Sequence, residues 1–410
     1  MMSKAARSNP IAAADRMQIL DILRGFALFG ILLANMIVFS GLLFVWALPD
    51  VQLTTFDQVV YYTLEVLLHG KFYSIFSILF GIGFTVFLTR AGQRGAGAKV
   101  LFAPRLALLF VIGLIHATLI WAGDILMLYA MIGFVLLLFH HCRSQTLLYG
   151  ALGLLLLKIV LYGLMWASGM DHPMRPSNPD PNAGPPMPVL IIAGYQSGYP
   201  DILQSNAYQL FGRWMLLIIS LRPPAVLAMF LLGMWIGRVG LAADLDRFRA
   251  LINRVAAIGL GLGLPLNGLW VWLVADSHRY LPGSAMGLLE VAVGTFGVPL
   301  LALGYMALIA VLMRRDAVAA GLSWLAPVGR MALTNYLMQS VCCIFIFYGA
   351  GLGFYGTVGH AKAALFVLPV FLIQIPLSAW WLTRFRYGPM EWLWRSLTYG
   401  QRMPLRRMAS

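Results

Sequence analysis

The sequence predicts an all-α polytopic membrane protein, a bundle of about ten transmembrane helices with the N- and C-termini cytoplasmic. Three observations predict it. Of 410 residues, 60% are apolar or aromatic and 11% are charged, against roughly 45–50% and 25% in a soluble domain. A globule of this length needs a larger polar skin, so a soluble enzyme, a disordered chain and a coiled coil are excluded. The apolar residues also fall in runs near the roughly 20 residues that a helix needs to cross the hydrocarbon core, where every backbone polar group must be bonded internally. Finally, Lys and Arg are divided unevenly between the connecting segments.

The runs, in order, are 26–48, 72–89, 103–120, 124–140, 146–167, 224–238, 252–275, 285–313, 322–348 and 363–383. The first is too long for a signal-peptide core and lacks a small-residue cleavage site, so it is expected to stay as an anchor. All belong to a single integral membrane domain, residues 1–410. Residues 54–69 mix Asp57, Gln58 and Glu65 with apolar residues and read as an outer interfacial helix. Residues 206–222 are apolar but interrupted by Arg213 and closed by Arg222-Pro223-Pro224, which suits an interfacial or re-entrant helix. Residues 168–205 form an outer polar loop, proline-rich from Pro173 to Pro200; such composition favours extended backbone, as a spacer or a substrate-facing lid. The segment 388–407, with Trp392 and Trp394 followed by arginines, reads as a cytoplasmic interfacial C-terminal segment suited to acidic lipid headgroups.

Orientation follows from the basic residues. With the N-terminus inside, the inner segments hold Lys4, Arg7, Arg16, Arg90, Arg94, Lys99, Arg105, Arg143, Arg238, Arg247, Arg249, Arg254, Arg314, Arg315 and six arginines from Arg384 to Arg407. The outer loops hold only Arg175, Arg279 and Lys362. That split of 20 to 3, among 29 Lys and Arg residues, places both termini in the cytoplasm. It also accounts for the net charge of +14 without nucleic acid as a partner. Cys142, Cys342 and Cys343 are too few for a disulfide framework or a thiolate metal site. No internal repeat of the kind found in inverted-repeat transporters is visible.

Charge at bilayer depth is costly and marks candidate sites. Lys158 and Glu290 each admit either a structural or a functional role. Asp21 and Arg24, spaced i, i+3, share a helix face and can pair, either to anchor the helix end or to present Arg24 to an anion. His116 and Asp124 close two helices joined by Trp121-Ala122-Gly123, so both side chains lie at similar depth. A histidine beside a carboxylate is a base with its orienting partner; equally, Asp124 suits a helix cap and His116 a carbonyl hydrogen bond. His69 and Lys71 enter the second run from the same side. No spacing of histidines supports a metal. Arg330, Thr334, Asn335 and Gln339 form a polar stripe near a four-residue period, for helix–helix hydrogen bonding or for lining a polar ligand. Glycines at 81, 83, 259, 261 and 263 suit close helix packing.

Four segments carry a family resemblance: Ile19-Leu20-Asp21-Ile22-Leu23-Arg24-Gly25-Phe26-Ala27; the run from Gly70-Lys71-Phe72 to Gly81-Ile82-Gly83; Gly123-Asp124-Ile125-Leu126; and the tail from Arg330 to Gly388-Pro389-Met390-Glu391-Trp392-Leu393-Trp394-Arg395-Ser396-Leu397-Thr398-Tyr399-Gly400. The sequence resembles the YeiB-like family of bacterial inner-membrane proteins, a family of unknown function related to a transmembrane acyltransferase superfamily. The resemblance implies a multi-pass protein of the bacterial inner membrane that moves an acyl group from cytoplasmic acyl-CoA or acetyl-CoA to an acceptor, often a glycan. Acyltransferase-3 enzymes carry an arginine and, eleven positions on, a histidine in their first helix; counting from Arg24 lands on Asn35, so another base is required. On this reading Asp21, Arg24, Asn35, Arg330 and Asn335 bind the acyl-CoA, with Arg384 or Arg395 as further phosphate partners. His116, oriented by Asp124, takes the proton from a hydroxyl or amine, and His69 or Lys71 stabilises the oxyanion. Membrane lipids and a small-molecule or glycan acceptor are the expected partners, with room for a homodimer and no metal. The alternative is a transporter or flippase of a small metabolite or lipid-linked compound that uses the same buried polar groups as a pathway.

Overall fold

The computed structural model describes residues 18–45, 48, 54–93, 98–168, 185–275 and 284–407. Of the basic residues used for orientation, Lys4, Arg7, Arg16, Arg94, Arg175 and Arg279 lie outside the described residues, as does 169–184 of the expected polar loop. The chain runs through α1 (Gln18–Phe39), α2 (Leu42–Val45), α3 (Thr55–Leu68), α4 (Lys71–Gln93) and α5 (Ala98–Ile115), which ends in a π-turn (His116–Ile120). Then follow α6 (Leu126–Leu136) with a 3₁₀ turn (Leu137–Phe139), α7 (Ser144–Ala167), α8 (Met187–Gln196), α9 (Tyr199–Ile219), α10 (Arg222–Val239), α11 (Arg249–Gly261), α12 (Gly263–Ala275) and α13 (Ala285–Leu312). The chain closes with α14 (Asp316–Leu322), α15 (Leu325–Arg330), α16 (Ala332–Phe347), α17 (His360–Arg384) and α18 (Pro389–Tyr399). Among the described residues the β pairing is a single bridge between Phe385 and Arg406.

The protein is all-helical and of the multi-pass membrane type. Among the described residues seven helical stretches are long and apolar enough to cross a bilayer: Gln18–Phe39, Thr55–Thr89, Phe102–Ile120, Ser144–Ala167, Arg249–Ala275, Ala285–Leu312 and His360–Arg384. An eighth results if α9 and α10, bent by 67° at their joint, count as one broken span. Two of the ten expected spans are shorter than a crossing requires. The fourth is α6 with its 3₁₀ turn, and the ninth, expected to run unbroken over 322–348, is divided at Met331 (φ −109°, ψ 35°) into α15 and α16. The division has two causes, both outside the segment. Gly329 lies flush on the backbone of Asp21, and Glu391 caps the restarted helix: its Oε1 accepts from Leu333 N at 2.7 Å and Thr334 N at 3.1 Å, and its Oε2 accepts from Thr334 Oγ1 at 2.6 Å.

The segment 168–205, expected to be polar connection, instead contains α8 and the start of α9. The amphipathic stretch 54–69 is α3, which runs on through Gly70 into α4. Helices α1, α4 and α10 form the centre. Small residues allow the tightest crossing: Gly81 of α4 sits on the carbonyl of Phe230 and Gly233 of α10 on that of Ile78, so a Cβ at either would strike backbone. One apolar cluster surrounds this crossing, with Ile75, Leu79 and Phe230 at its heart. A second joins the C-terminal half of α1 to α16 and α17 through Leu32, Phe39, Phe347 and Phe371.

The C-terminal segment clasps the bundle. The indole N–H of Trp394 donates to Arg105 O (2.8 Å), that of Trp392 donates to Met403 O (2.8 Å), and the Arg105 guanidinium stacks 4.3 Å over the Trp394 ring. The tryptophans expected to anchor in lipid headgroups therefore satisfy their N–H groups on protein carbonyls.

Candidate functional site

His116 stands on the first residue of the π-turn that ends α5. The turn is closed by Trp121 N donating to His116 O at 2.7 Å. Single π-turns in helices recur at functional positions because they re-aim side chains and free carbonyls. Here three of the turn's carbonyls are answered from α9: Asn206 Nδ2 donates to Thr118 O (3.4 Å) and Ile120 O (3.3 Å), and Tyr199 Oη to Leu119 O (2.7 Å). Asn206 is itself buried and fixed by Tyr195 Oη (2.8 Å). Tyr195 and Tyr199, from the stretch expected to be a spacer or a lid, and Asn206, from the expected interfacial or re-entrant helix, thus buttress the turn that carries the histidine. Asn206→Ala leaves two part-buried carbonyls unanswered, and a loss of about 1–3 kcal/mol is expected as a lowered melting temperature, with no change in surface charge.

The turn aims the imidazole at Asp124. His116 Nδ1 lies 2.8 Å from Asp124 Oδ2, and both side chains are about 1% exposed. The other carboxylate oxygen, Oδ1, accepts from Met127 N at 2.9 Å at the start of α6. One carboxylate oxygen thus caps the helix while the other contacts the imidazole. His116 Nε2 is buried with no hydrogen-bond partner among the described residues.

Three further side chains enclose the pair. Trp121, stacked on Phe39 with ring centroids 4.0 Å apart, lies edge-on to the imidazole. The Tyr336 ring is 5.2 Å from the imidazole, and its buried hydroxyl makes no hydrogen bond of normal geometry among the described residues. Arg213 of α9 reaches in to donate to Asp124 O at 3.2 Å. Tyr336 and Arg213 escape sequence reasoning because they lie 212 and 89 residues from Asp124. The signal that was available is Arg213 itself, a cation inside an apolar run.

His69 and Lys71 sit in a different group. His69 Nδ1 pairs with Glu65 Oε2 at 3.0 Å. Lys71 is fully buried, donates to the Glu65 carbonyl at 2.9 Å and lies 5.5 Å from the Trp270 ring centroid. The same carbonyl accepts from His69 N at 3.3 Å, so Lys71 adds a cation to the last turn of α3, where it favours the helix end, and its ammonium is occupied there.

Asp21, Arg24 and Arg330 gather at the opposite end of α1. Arg24 Nη1 donates to Asp21 Oδ1 at 2.7 Å, with the Arg24 side chain 27% exposed. Arg330 is brought alongside because Gly329 packs directly on Asp21. Asn335 does not join them. Its amide donates to Val328 O (3.0 Å) and Ser378 Oγ (3.0 Å), Gln374 Nε2 donates to its carbonyl (3.0 Å), and Gln339 Nε2 donates to Gln374 Oε1 (2.9 Å). Of the polar stripe, Asn335 and Gln339 are spent on α17 and Thr334 on α18, the helix–helix alternative. Asn35 is half-buried on α1 and makes no side-chain hydrogen bond among the described residues.

Fold and site together define a multi-pass helical membrane protein with an enclosed histidine–carboxylate pair near one end and an arginine–aspartate group at the other. Residues 236–401 match the family described as a protein of unknown function, DUF418. Along nearly its whole length the chain is similar to the uncharacterized protein YxaH of Bacillus subtilis (32% identical, 97% of this chain and 98% of the relative). It is likewise similar to YeiB of Escherichia coli, also uncharacterized (31%, 94% and 96%), and to an uncharacterized 39.9 kDa protein of Bacillus acidopullulyticus (28%, 97% and 98%). No solved structure matches the chain. The chain belongs to the YeiB-like, DUF418 family. The DUF418 segment contains Arg330 and Glu391 but neither His116 nor Asp124.

Proposed function

We propose that the protein is an acyltransferase of the bacterial inner membrane. It moves an acyl group, acetyl in the simplest case, from cytoplasmic acyl-CoA to a hydroxyl or amine of a small-molecule or glycan acceptor at the outer face. The observation that carries this reading is the 2.8 Å contact between His116 Nδ1 and Asp124 Oδ2, with Nε2 buried and unpartnered among the described residues. A base with its remote nitrogen fixed by a carboxylate keeps Nε2 deprotonated and aimed, and the carboxylate stabilises the imidazolium that forms.

In the proposed reaction the acceptor O–H or N–H hands its proton to His116 Nε2 as the oxygen or nitrogen attacks the thioester carbonyl. The carbon–sulfur bond then breaks and the CoA thiolate leaves with the proton. Tyr336, whose buried ring packs 5.2 Å from the imidazole, supplies the hydroxyl that donates to the oxyanion on this reading, in place of the occupied Lys71 and His69. Arg24 and Arg330, with Asp21 holding Arg24, receive the CoA phosphates. From Arg24 to Phe39, which stacks against Trp121 beside His116, α1 covers 15 residues, about 22 Å at 1.5 Å per residue. The anionic head and the reacting thioester are thus assigned to opposite ends of one helix. An orientation with cytoplasmic termini suits this direction of transfer; the ten-span version of it requires the short helices α6 and α16 to cross together with their flanking turns, beside the broken span of α9 and α10.

Acetyl-CoA is expected to raise the melting temperature of the purified full-length protein, by the equivalent of about 2.7 kcal/mol at a hundredfold excess over Kd. Arg24→Ala should abolish the shift and His116→Ala should retain it. The absence of any shift at millimolar acetyl-CoA would overturn the assignment of the donor.

A further inference from the structure

Lys158, Arg222 and Glu290 come from three helices far apart in sequence, and the fold sets them in one cleft of about 800 Å³, its open mouth included. The cleft lies between α4, α7, α10, α12 and α13, with His69 and Trp270 at its rim and Leu155, Met229 and Val298 among its walls. Arg222 is delivered by the joint between α9 and α10. Leu221 there adopts φ 51°, ψ 38°, the one left-handed non-glycine residue among those described, and the helix axis turns by 67°. A bulky residue in that region costs about 1–2 kcal/mol, a strain of the kind found beside functional sites. The Arg222 guanidinium stacks 4.7 Å over the Tyr73 ring, which orients it and leaves its N–H donors to the cleft.

Among the described residues the charges in the cleft do not cancel: Lys158 and Arg222 are two cations against one carboxylate, Glu290, while His69 is paired with Glu65. Among the described residues Lys158 makes no hydrogen bond and no contact ion pair; Glu290 is near enough for the two charges to act on each other without pairing. It stands deep in α7, a helix whose other residues are almost all apolar and whose outer side, at Leu156, Val160 and Leu164, is exposed. An ammonium on a lipid-facing apolar helix needs an anionic partner. We propose that the cleft binds the phosphate of an anionic amphiphile: Lys158 and Arg222 take the phosphate oxygens, and the acyl or prenyl chains leave between α7 and its neighbours. Two cations with charge-assisted donors suit a phosphate, and apolar walls beside a lipid-facing helix suit its tail. The site is separate from the His116–Asp124 pair and does not depend on acyl transfer.

The test uses the full-length chain in phosphatidylcholine nanodiscs doped with phosphatidylglycerol, with retained lipid counted by native mass spectrometry. The wild type should keep one phosphatidylglycerol in preference to phosphatidylcholine. Lys158→Gln with Arg222→Gln should weaken that retention at least about tenfold, the scale of a lost charge-assisted hydrogen bond. Glu290→Gln removes the competing carboxylate and should strengthen retention, which keeps the test decisive if the double variant fails to fold. Equal retention of the two lipids, or no change in either variant, overturns the proposal. Displacement of the lipid by millimolar inorganic phosphate would identify a soluble phosphate as the ligand and overturn the amphiphile assignment.

Discussion

Asp124→Asn is expected to lower acyl transfer by about 10²–10⁴-fold while leaving the melting temperature close to that of the wild type. Asp124 Oδ1 is committed to Met127 N and Oδ2 to His116 Nδ1. In the asparagine variant the one remaining oxygen keeps the helix cap, so the NH₂ group is turned toward Nδ1. Nδ1 must then accept, which moves the ring proton to Nε2 and removes the lone pair that takes the acceptor's proton. Shape and cap survive and the base does not. His116→Ala should abolish transfer outright and still bind the acyl donor. An Asp124→Asn protein that turns over normally would show that the carboxylate only caps α6.

Glu391→Ala carries the largest stability effect, about 2–4 kcal/mol, because it uncovers two N–H groups at the start of α16 and frees the Thr334 hydroxyl. Gln in its place can still accept from both N–H groups with Oε1 and should cost much less. Burial pushes the Glu391 carboxyl above its usual 4.5, against the opposing pull of the hydrogen bonds from Thr334 and Leu333. The folded state therefore binds this proton more tightly than the unfolded chain. Its contribution to stability is fully present below pH 4.5 and is lost as pH rises through the raised folded value. Melting temperature in detergent should rise on acidification from neutral toward 4.5 in the wild type by more than in Glu391→Gln, and equal pH profiles would contradict this account.

The legible parts of this fold are those with local causes. The run from Ser144 to Ala167, nearly all apolar, announces a crossing whatever surrounds it. His116 and Asp124 are eight residues apart across a short connector, so chain geometry alone brings them together. The break at Met331 was invisible because its causes, Gly329 against Asp21 and the Glu391 cap, are contributed by other segments. Lys71 looked functional because burial of a cation is rare; its partner is a backbone carbonyl, which sequence does not display. Lys158 and Glu290 were each visible as isolated charges, but only packing puts them in one cleft with Arg222. The buttress of α8 and α9 was hidden by its neighbouring prolines, whose composition signals extended chain although Pro186 and Pro188 stand at the start of a helix, where proline is well tolerated.

The central claim is that His116 removes the acceptor's proton during acyl transfer. The most direct measurement is the transfer of isotopically labelled acetyl groups from acetyl-CoA to membrane and glycan extracts by the purified full-length protein, followed by mass spectrometry of the products. The account predicts a labelled product with the wild type and none with His116→Ala, with acetyl-CoA still bound by the variant. Label transfer by His116→Ala at the wild-type rate would contradict it.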